Sequence, residues 1–309
     1  MIISNMDTDS RFTGFTDKLT SRLSDYYGSS YSISINEVTK NNDNHRHSII
    51  IRKEGENITP SIYLEEFFER YEEGDTFSEI VSDIITLRNR HSVMSDFDFE
   101  RISDYAWAKE YLGIKLVSKQ LNSMLLLDTP HWNISDLTIV FYVSVENEEL
   151  GNGAILIRNA MLKEWNITVE RLYMDARENM MRKNPPYVID IVDMLMDMRD
   201  AYSIERIIDT DDMRGKMYVL TNQSKYYGAA TLCYPGLLGE LADRFNGDFF
   251  VIPSSIHEVI LVPSTNCEDR NELSMIISDV NKNCLEKEEV LSSHAYLYHR
   301  NSNWLEPLD

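Results

Sequence analysis

Along the first third of the chain, apolar and polar positions alternate between a helical rhythm and a strand rhythm. Phe15 to Tyr27 has the spacing of a helix closed by Gly28, and Tyr31 to Ile35 alternates as a half-buried strand does. The NNDN run at 41–44 is a turn signal, and His47 to Arg52 returns as a second strand. A helix is predicted over Ser61 to Tyr71, between Pro60 and Gly74. Thr76 is placed to cap another, with Phe77, Ile80, Val81, Ile84 and Ile85 as its buried stripe. Asp96 to Tyr111 reads as a further helix ending at Gly113.

The middle of the chain is richer in strand signal. Ile114 to Leu121, Leu137 to Val145 and Ala154 to Arg158 are β-type runs, the last two joined by the turn-rich ENEELGNG. Asn166 is placed as the N-cap of a helix over Val169 to Arg182, with Glu170 in its first turn. Pro185 and Pro186 separate it from a second predicted helix, Val188 to Ala201. The last third gives a strand (Lys216 to Thr221), a helix (Pro235 to Phe245, stopped by Asn246-Gly247) and two strands, Phe249 to Ile252 and Glu258 to Val262. Because Val259 to Val262 is apolar on both faces, that strand belongs inside a covered sheet. A helix (Asn271 to Cys284) and a strand (Ala295 to Tyr298) close the chain. The expectation is an α+β fold: a mixed, mostly antiparallel sheet with packed helices and an N-terminal strand-and-helix portion. The division expected is 1–112 and 113–309, with a sub-boundary near 184–215 at the Pro-Pro break or the Asp209 to Gly215 loop; one integrated domain is the alternative.

Composition narrows the function classes. Among 309 residues, 30 are Lys or Arg and 51 are Asp or Glu, a net charge of −21. That charge repels phosphate backbones and anionic lipid, so neither nucleic-acid phosphates nor a membrane surface is an expected partner. It favours solubility and the steering of cationic partners, although solvated helix faces are the better account of the acidity. Cys233, Cys267 and Cys284 are too far apart for a zinc knuckle or a redox pair. The start MIISNMDTDS has no secretory pattern. Leu137 to Val145 is far shorter than the ~20 residues a spanning helix needs. A reduced, cytoplasmic, soluble protein is expected.

Several segments carry chemistry-bearing residues. GNGA at 151–154 has half a dinucleotide fingerprint but leads into a strand, so it reads as a hairpin turn. Asp43, His45 and His47 share one face of a strand, where they would suit a transition metal, but an exposed Asn-rich turn explains them as well. Asp190, Asp193, Asp197 and Asp200 recur at helical spacing and read as a solvated outer face. Asp209, Asp211 and Asp212 lack the glycine and distal Glu of a calcium loop. No metal or cofactor site is expected.

The richest segment is PSSIHE at 253–258, a turn between two core strands. It presents hydroxyls, an imidazole and a carboxylate, the groups acyl transfer needs. Adjacent His257 and Glu258 on extended chain point to opposite faces, however, and no GxSxG elbow or HExxH pair exists. A second cluster, Asn222, Ser224, Tyr226, Tyr227, Gly228 and Tyr234-Pro235-Gly236, precedes a helix N-terminus whose free N–H groups would receive an anion. The structural reading, which the pattern favours, has Ser254 and Ser255 bond the turn backbone, His257 satisfy a buried acceptor and the tyrosines cover the core; in the functional reading the candidate pocket is Asn222, Tyr227, Ser254, Ser255, His257 and Glu258.

Long runs carry a resemblance over nearly the whole chain: ITPSIYLEEFFERYEEG (58–74), LTIVFYVSVEN and GAILIRNAMLKEWNIT (within 137–168), MYVLTNQSKYYGAATLCYPGLLGELADRF (217–245), FFVIPSSIHEVILVP (249–263) and EEVLSSHAYLY (288–298). In these the chain resembles an uncharacterised clostridial family, domain of unknown function 5688. The resemblance implies an intracellular bacterial protein of one integrated architecture and carries over no activity, cofactor or catalytic residue. The expected function is a non-enzymatic binding or interaction protein whose partner is a protein or a small-molecule ligand. The alternative is a small-molecule hydrolase or transferase with its pocket near 222–236 and 253–258, and a third reading is an acidic nucleic-acid mimic.

Overall fold

The computed structural model of the chain describes residues 2–56, 61–91, 99–147, 151–194, 196, 215–267, 270–283 and 285–308. Contacts divide it into two units: Met1–Lys40 with Asn44–Phe99 and Asn147–Gly151, and Asn41–Asp43 with Glu100–Glu146 and Asn152–Asp309.

Among the described residues, unit 1 is a three-stranded antiparallel sheet with three helices. Helix α1 (Ile2–Tyr27) buries Phe15, Leu19 and Leu23, which recur every four residues along one face. Gly28 ends it with a φ of 71°. β1 (Tyr31–Thr39) pairs with β2 (His45–Lys53), and the short β3 (Ile62–Tyr63) adds to β2. The stretch expected to be helical from Ser61 is thus strand first, because Ile62 is drawn under the sheet; α2 (Glu65–Glu73) begins after it. α3 (Phe77–His91) starts at Thr76 as expected. There the Thr76 backbone N–H donates to Glu79 Oε2 at 2.9 Å and the Glu79 N–H donates to Thr76 Oγ1 at 3.3 Å, a reciprocal capping box. Ile80, Val81 and Ile84 of α3 join Ile49, Ile51, Leu64, Phe67 and Phe68 in the core.

Unit 2 contains two sheets. In the smaller, β4 (Leu112–Ser118), β6 (Leu137–Asn147) and β5 (His131–Ile134) run in the order β4-β6-β5, and β7 (Gly151–Leu156) also pairs with β6. The helix expected over Asp96 to Tyr111 is broken. Its described part consists of tight turns around one short helix, α4 (Tyr105–Ala108), which Asp104 caps, and 96–98 lie outside the described residues. Gly113 ends no helix: it lies inside β4, opposite Tyr142 of β6, where an added Cβ would stand 2.3 Å from the tyrosine ring.

Asn166 is no N-cap; with a φ of 53° it terminates α5 (Asn159–Trp165), using asparagine's tolerance of left-handed backbone. Thr168 caps α6 (Val169–Lys183) instead, accepting from the Arg171 N–H at 3.3 Å. The second helix expected from Val188 begins as strand β8 (Pro186–Asp190), hydrogen-bonded to β9 (Tyr218–Asn222). β8 is an edge strand, where a proline removes no ladder bond.

The larger sheet has the order β13-β12-β10-β11-β9-β8, with β10 (Phe249–Pro253) and β11 (Val259–Pro263) at its centre, and β12 (Tyr296–His299) and β13 (Trp304–Pro307) on one side. Both faces are covered, as the apolar run required. Val251 and Leu261 join a core with Ile114 and Phe141 of the other sheet and Leu172 and Ala176 of α6. Phe250, Ile252 and Val262 pack with Leu273 and Ile277 of a terminal helix, α8 (Arg270–Asn283). Between them, α7 (Leu237–Phe245) ends at Asn246, left-handed at a φ of 56°. The protein is α+β with mostly antiparallel sheets. Among the described residues no helix is long and apolar enough to cross a membrane.

Candidate functional site

The β10–β11 turn and the segment after β9 come together, as the sequence suggested, and their polar groups bond one another. Asn222 is fully buried at the end of β9. Its Nδ2 donates to the Tyr226 carbonyl at 2.8 Å, while its Oδ1 accepts from Ser224 Oγ at 3.0 Å and from the Tyr226 N–H at 3.3 Å. Ser255 is buried, and its hydroxyl oxygen accepts from the His257 N–H at 2.9 Å and the Glu258 N–H at 3.3 Å. Its proton is left facing Glu258 Oε1 at a long 3.4 Å. Ser254 is half-buried and takes no part in these bonds.

His257 is held by the neighbouring loop. Its Nδ1 accepts from the Tyr227 N–H at 3.2 Å, which places the ring proton of the neutral form on Nε2. Nε2 lies 3.9 Å from Glu289 Oε1, beyond hydrogen-bond reach. Burial lowers the His257 pKa below its ordinary 6.5, against the opposing pull of Glu289 and Glu258. Tyr227 stacks on the imidazole with centroids 5.5 Å apart, and its hydroxyl accepts from Tyr226 at 2.9 Å. Burial pushes the Tyr227 phenol well above its ordinary pKa, so it stays a neutral donor. Gly228 is obligatory: an added Cβ would lie 2.0 Å from Thr221 Oγ1 and 2.5 Å from the His257 carbonyl. The hydroxyl and imidazole therefore do not touch, and each is fixed by backbone N–H groups.

The other flagged groups do not assemble. Asp43, in unit 2, accepts from the N–H groups of Met124 at 2.8 Å and Leu125 at 2.9 Å. His45 meets Glu37 at 2.7 Å, and His47 meets Glu65 at 3.2 Å. No group of three or more His, Cys, Asp or Glu side chains among the described residues is arranged to hold a metal ion. Asp190 is in a strand, so it does not share a helical face with Asp193; Asp197, Asp200, Asp209, Asp211 and Asp212 lie outside the described residues. GNGA is not a turn but the start of β7.

Two arrangements were not foreseen. In unit 2, the Tyr296 hydroxyl donates to Asp136 Oδ2 at 2.8 Å and sits 3.2 Å from Ser292 Oγ, while His294 Nε2 stands 3.1 Å from the same carboxylate oxygen. The signal for it is the i, i+2, i+4 spacing of Ser292, His294 and Tyr296 on extended chain. Burial raises the Tyr296 pKa far above its ordinary value, which makes the phenol a tie for Asp136 rather than a nucleophile. In unit 1, a cavity of about 530 Å³ opens between Phe12 of α1, His45 and His47 of β2, and the Glu65–Glu73 face of α2. Its signal is the Glu65, Glu69, Glu72 and Glu73 spacing on a helix beside two histidines on one strand face.

A family model described as a family of unknown function (DUF5688) matches residues 12–300. No curated protein and no solved structure matches the chain. The match covers both units and nearly every residue discussed above, and the chain belongs to this family of unknown function.

Proposed function

We propose that the chain is a non-enzymatic binding protein, acting in the reduced cytoplasm of a bacterium on a protein or small-molecule partner. The observation that carries the reading is the Ser255 hydroxyl. It already accepts two backbone N–H groups, and the nearest imidazole turns its Nδ1 to a third. Nucleophilic catalysis requires that hydroxyl and base to share a proton, and here both instead hold the turns that join β9, β10 and β11. The −21 charge supports a cationic partner through long-range attraction, and three cysteines so far apart in sequence, Cys233, Cys267 and Cys284, fit a reducing setting.

Native mass spectrometry on protein purified gently from its host tests the reading. The expected spectrum carries an adduct of defined mass that survives Ser255→Ala. A hydrolase or transferase turnover that Ser255→Ala or His257→Gln abolishes, with circular dichroism unchanged, overturns it.

A further inference from the structure

A cavity of about 280 Å³ opens in unit 2 between the β5–β6 turn, the first turn of α7 and the β12–β13 hairpin. Three features of it point to one kind of ligand. The first is the absence of charge. In a chain of net charge −21, no Asp, Glu, Lys, Arg or His is among the described residues that line it. Its ionisable groups stay neutral as well. Burial pushes the Cys233 thiol up to about 12 and raises the Tyr234, Tyr296 and Tyr298 phenols above their ordinary value. The second feature is how the tyrosines are used. The Tyr296 hydroxyl donates to Asp136, that of Tyr298 to Asn303 Oδ1, and that of Tyr234 to the Asn184 carbonyl at 2.9 Å. Their rings, not their hydroxyls, are what remains to meet a ligand. Trp304, 55% exposed, adds a fourth aromatic side chain at the mouth. The third feature is Gly239, the third residue of α7. A Cβ there would find its nearest neighbours in the cavity wall, the Tyr298 hydroxyl at 3.7 Å and Asn303 Oδ1 at 3.9 Å. Those are ordinary contacts, and alanine would strengthen the helix. Packing does not call for glycine here; open space beside the helix does.

We infer that this cavity binds a small, neutral aromatic molecule of indole size. A charged ligand would lose its hydration with no counter-charge in the wall, which is costly. A flat ring instead covers apolar surface and meets Tyr296, Tyr298 and Trp304 in the offset or edge-on contacts that aromatic pairs favour. Volume sets the size. An apolar cavity of ~150 Å³ holds a benzene ring, so about 280 Å³ suits a fused bicyclic molecule. The inference rests on the small-molecule form of the binding-protein reading and names the ligand class.

Indole is the probe, titrated by calorimetry into the intact chain at pH 7. One site that saturates below about 1 mM is expected. Indole-3-acetate and tryptamine carry the same ring with a negative and a positive charge, and each should bind about tenfold more weakly or worse. Cyclohexanol, neutral but not aromatic, should also bind more weakly than indole. Gly239→Leu fills the space from the helix side and should abolish binding with circular dichroism unchanged. Gly239→Ala should weaken binding while raising the melting temperature by about 2 °C. Heats that never saturate, equal affinity for the three indole compounds, or a folded Gly239→Leu protein that binds like the parent overturn the inference. A destabilised Gly239→Ala protein overturns it as well, since packing would then require the glycine. Cyclohexanol binding as tightly as indole overturns it in favour of any apolar molecule. None of these failures touches the binding-protein reading, which stands or falls on adduct retention and turnover at Ser255 and His257.

Discussion

At the β10–β11 turn, Ser255, His257 and Glu258 lie within four residues of one another, and their polar atoms meet the backbone of the same turn or of the loop after β9. Around the unit 1 cavity, Phe12, His47 and Glu65 come from three separate elements, and one Glu65 oxygen has no hydrogen-bond partner among the described residues. The difference has a simple cause. Polar side chains close together in a tight turn are within reach of the unpaired N–H groups that every turn creates, and those groups must be satisfied. Side chains that converge from distant elements are under no such demand.

The contrast predicts that substitutions in the turn region cost stability and that substitutions of the exposed carboxylates at the cavity leave it nearly unchanged. The largest effect belongs to Gly228→Ala. Its Cβ would stand 2.5 Å from the His257 carbonyl and 2.7 Å from the Asn222 backbone nitrogen, so the strand and the turn must move apart. A loss of about 3 kcal/mol, the upper end for overpacking, is expected in urea denaturation. Next comes Asn222→Ala, which removes a fully buried amide and its bonds to the half-buried Tyr226 N–H and carbonyl, and should cost about 2 kcal/mol by the same assay. An Asn222→Ala protein as stable as the parent would erase the contrast.

The third effect is a pH dependence. The folded pKa of His257 is lowered, so the unfolded chain binds the proton more readily than the native protein. Its contribution to stability is therefore complete above the unfolded value of 6.5 and is lost as pH falls through the lower folded value. Midpoints measured from pH 8 down to pH 5 should fall less steeply for His257→Gln than for the parent. The smallest effect on stability is that of Glu69→Gln with Glu73→Gln. These exposed like charges are four apart on α2, and neutralising them should shift stability by no more than about 0.5 kcal/mol, in the favourable direction.

Elements with a continuous or strictly periodic apolar pattern were readable before the structure. β6, β10, β11 and the Ile80–Val81–Ile84 stripe stand where expected because burial itself imposes the pattern. What misled is equally specific. Val188 and Ile189 satisfy a helix and a strand alike, and only the β9 edge, about 30 residues further on, decides for the strand. Asn166 suits both helix ends, and α5, which it terminates, is too short to show a period. β5 and β13 span four residues each and offer little for any pattern to act on. The segments that carry Asn222 and Tyr227 and that carry Ser254, Ser255, His257 and Glu258 are neighbours because they flank paired strands, β9 and β11. Which atoms face each other there depends on backbone N–H directions that residue types do not encode. The cavity was out of reach for a different reason: it depends on where α1 lies against β2 and α2.

Gly113 and Tyr142 carry an implication for how the family drifts. They face each other directly across β4 and β6, and the phenol ring covers the bare backbone where the glycine has no side chain. The two positions together fill one side chain's worth of core, so selection acts on the pair. Relatives should keep glycine wherever position 142 is aromatic, and lose both in the same lineage, with an aliphatic pair spanning the gap. A lineage with a β-branched residue at 113 and tyrosine still at 142 would have had to shift its strands apart, and the smaller sheet of unit 2 is where that history would be written.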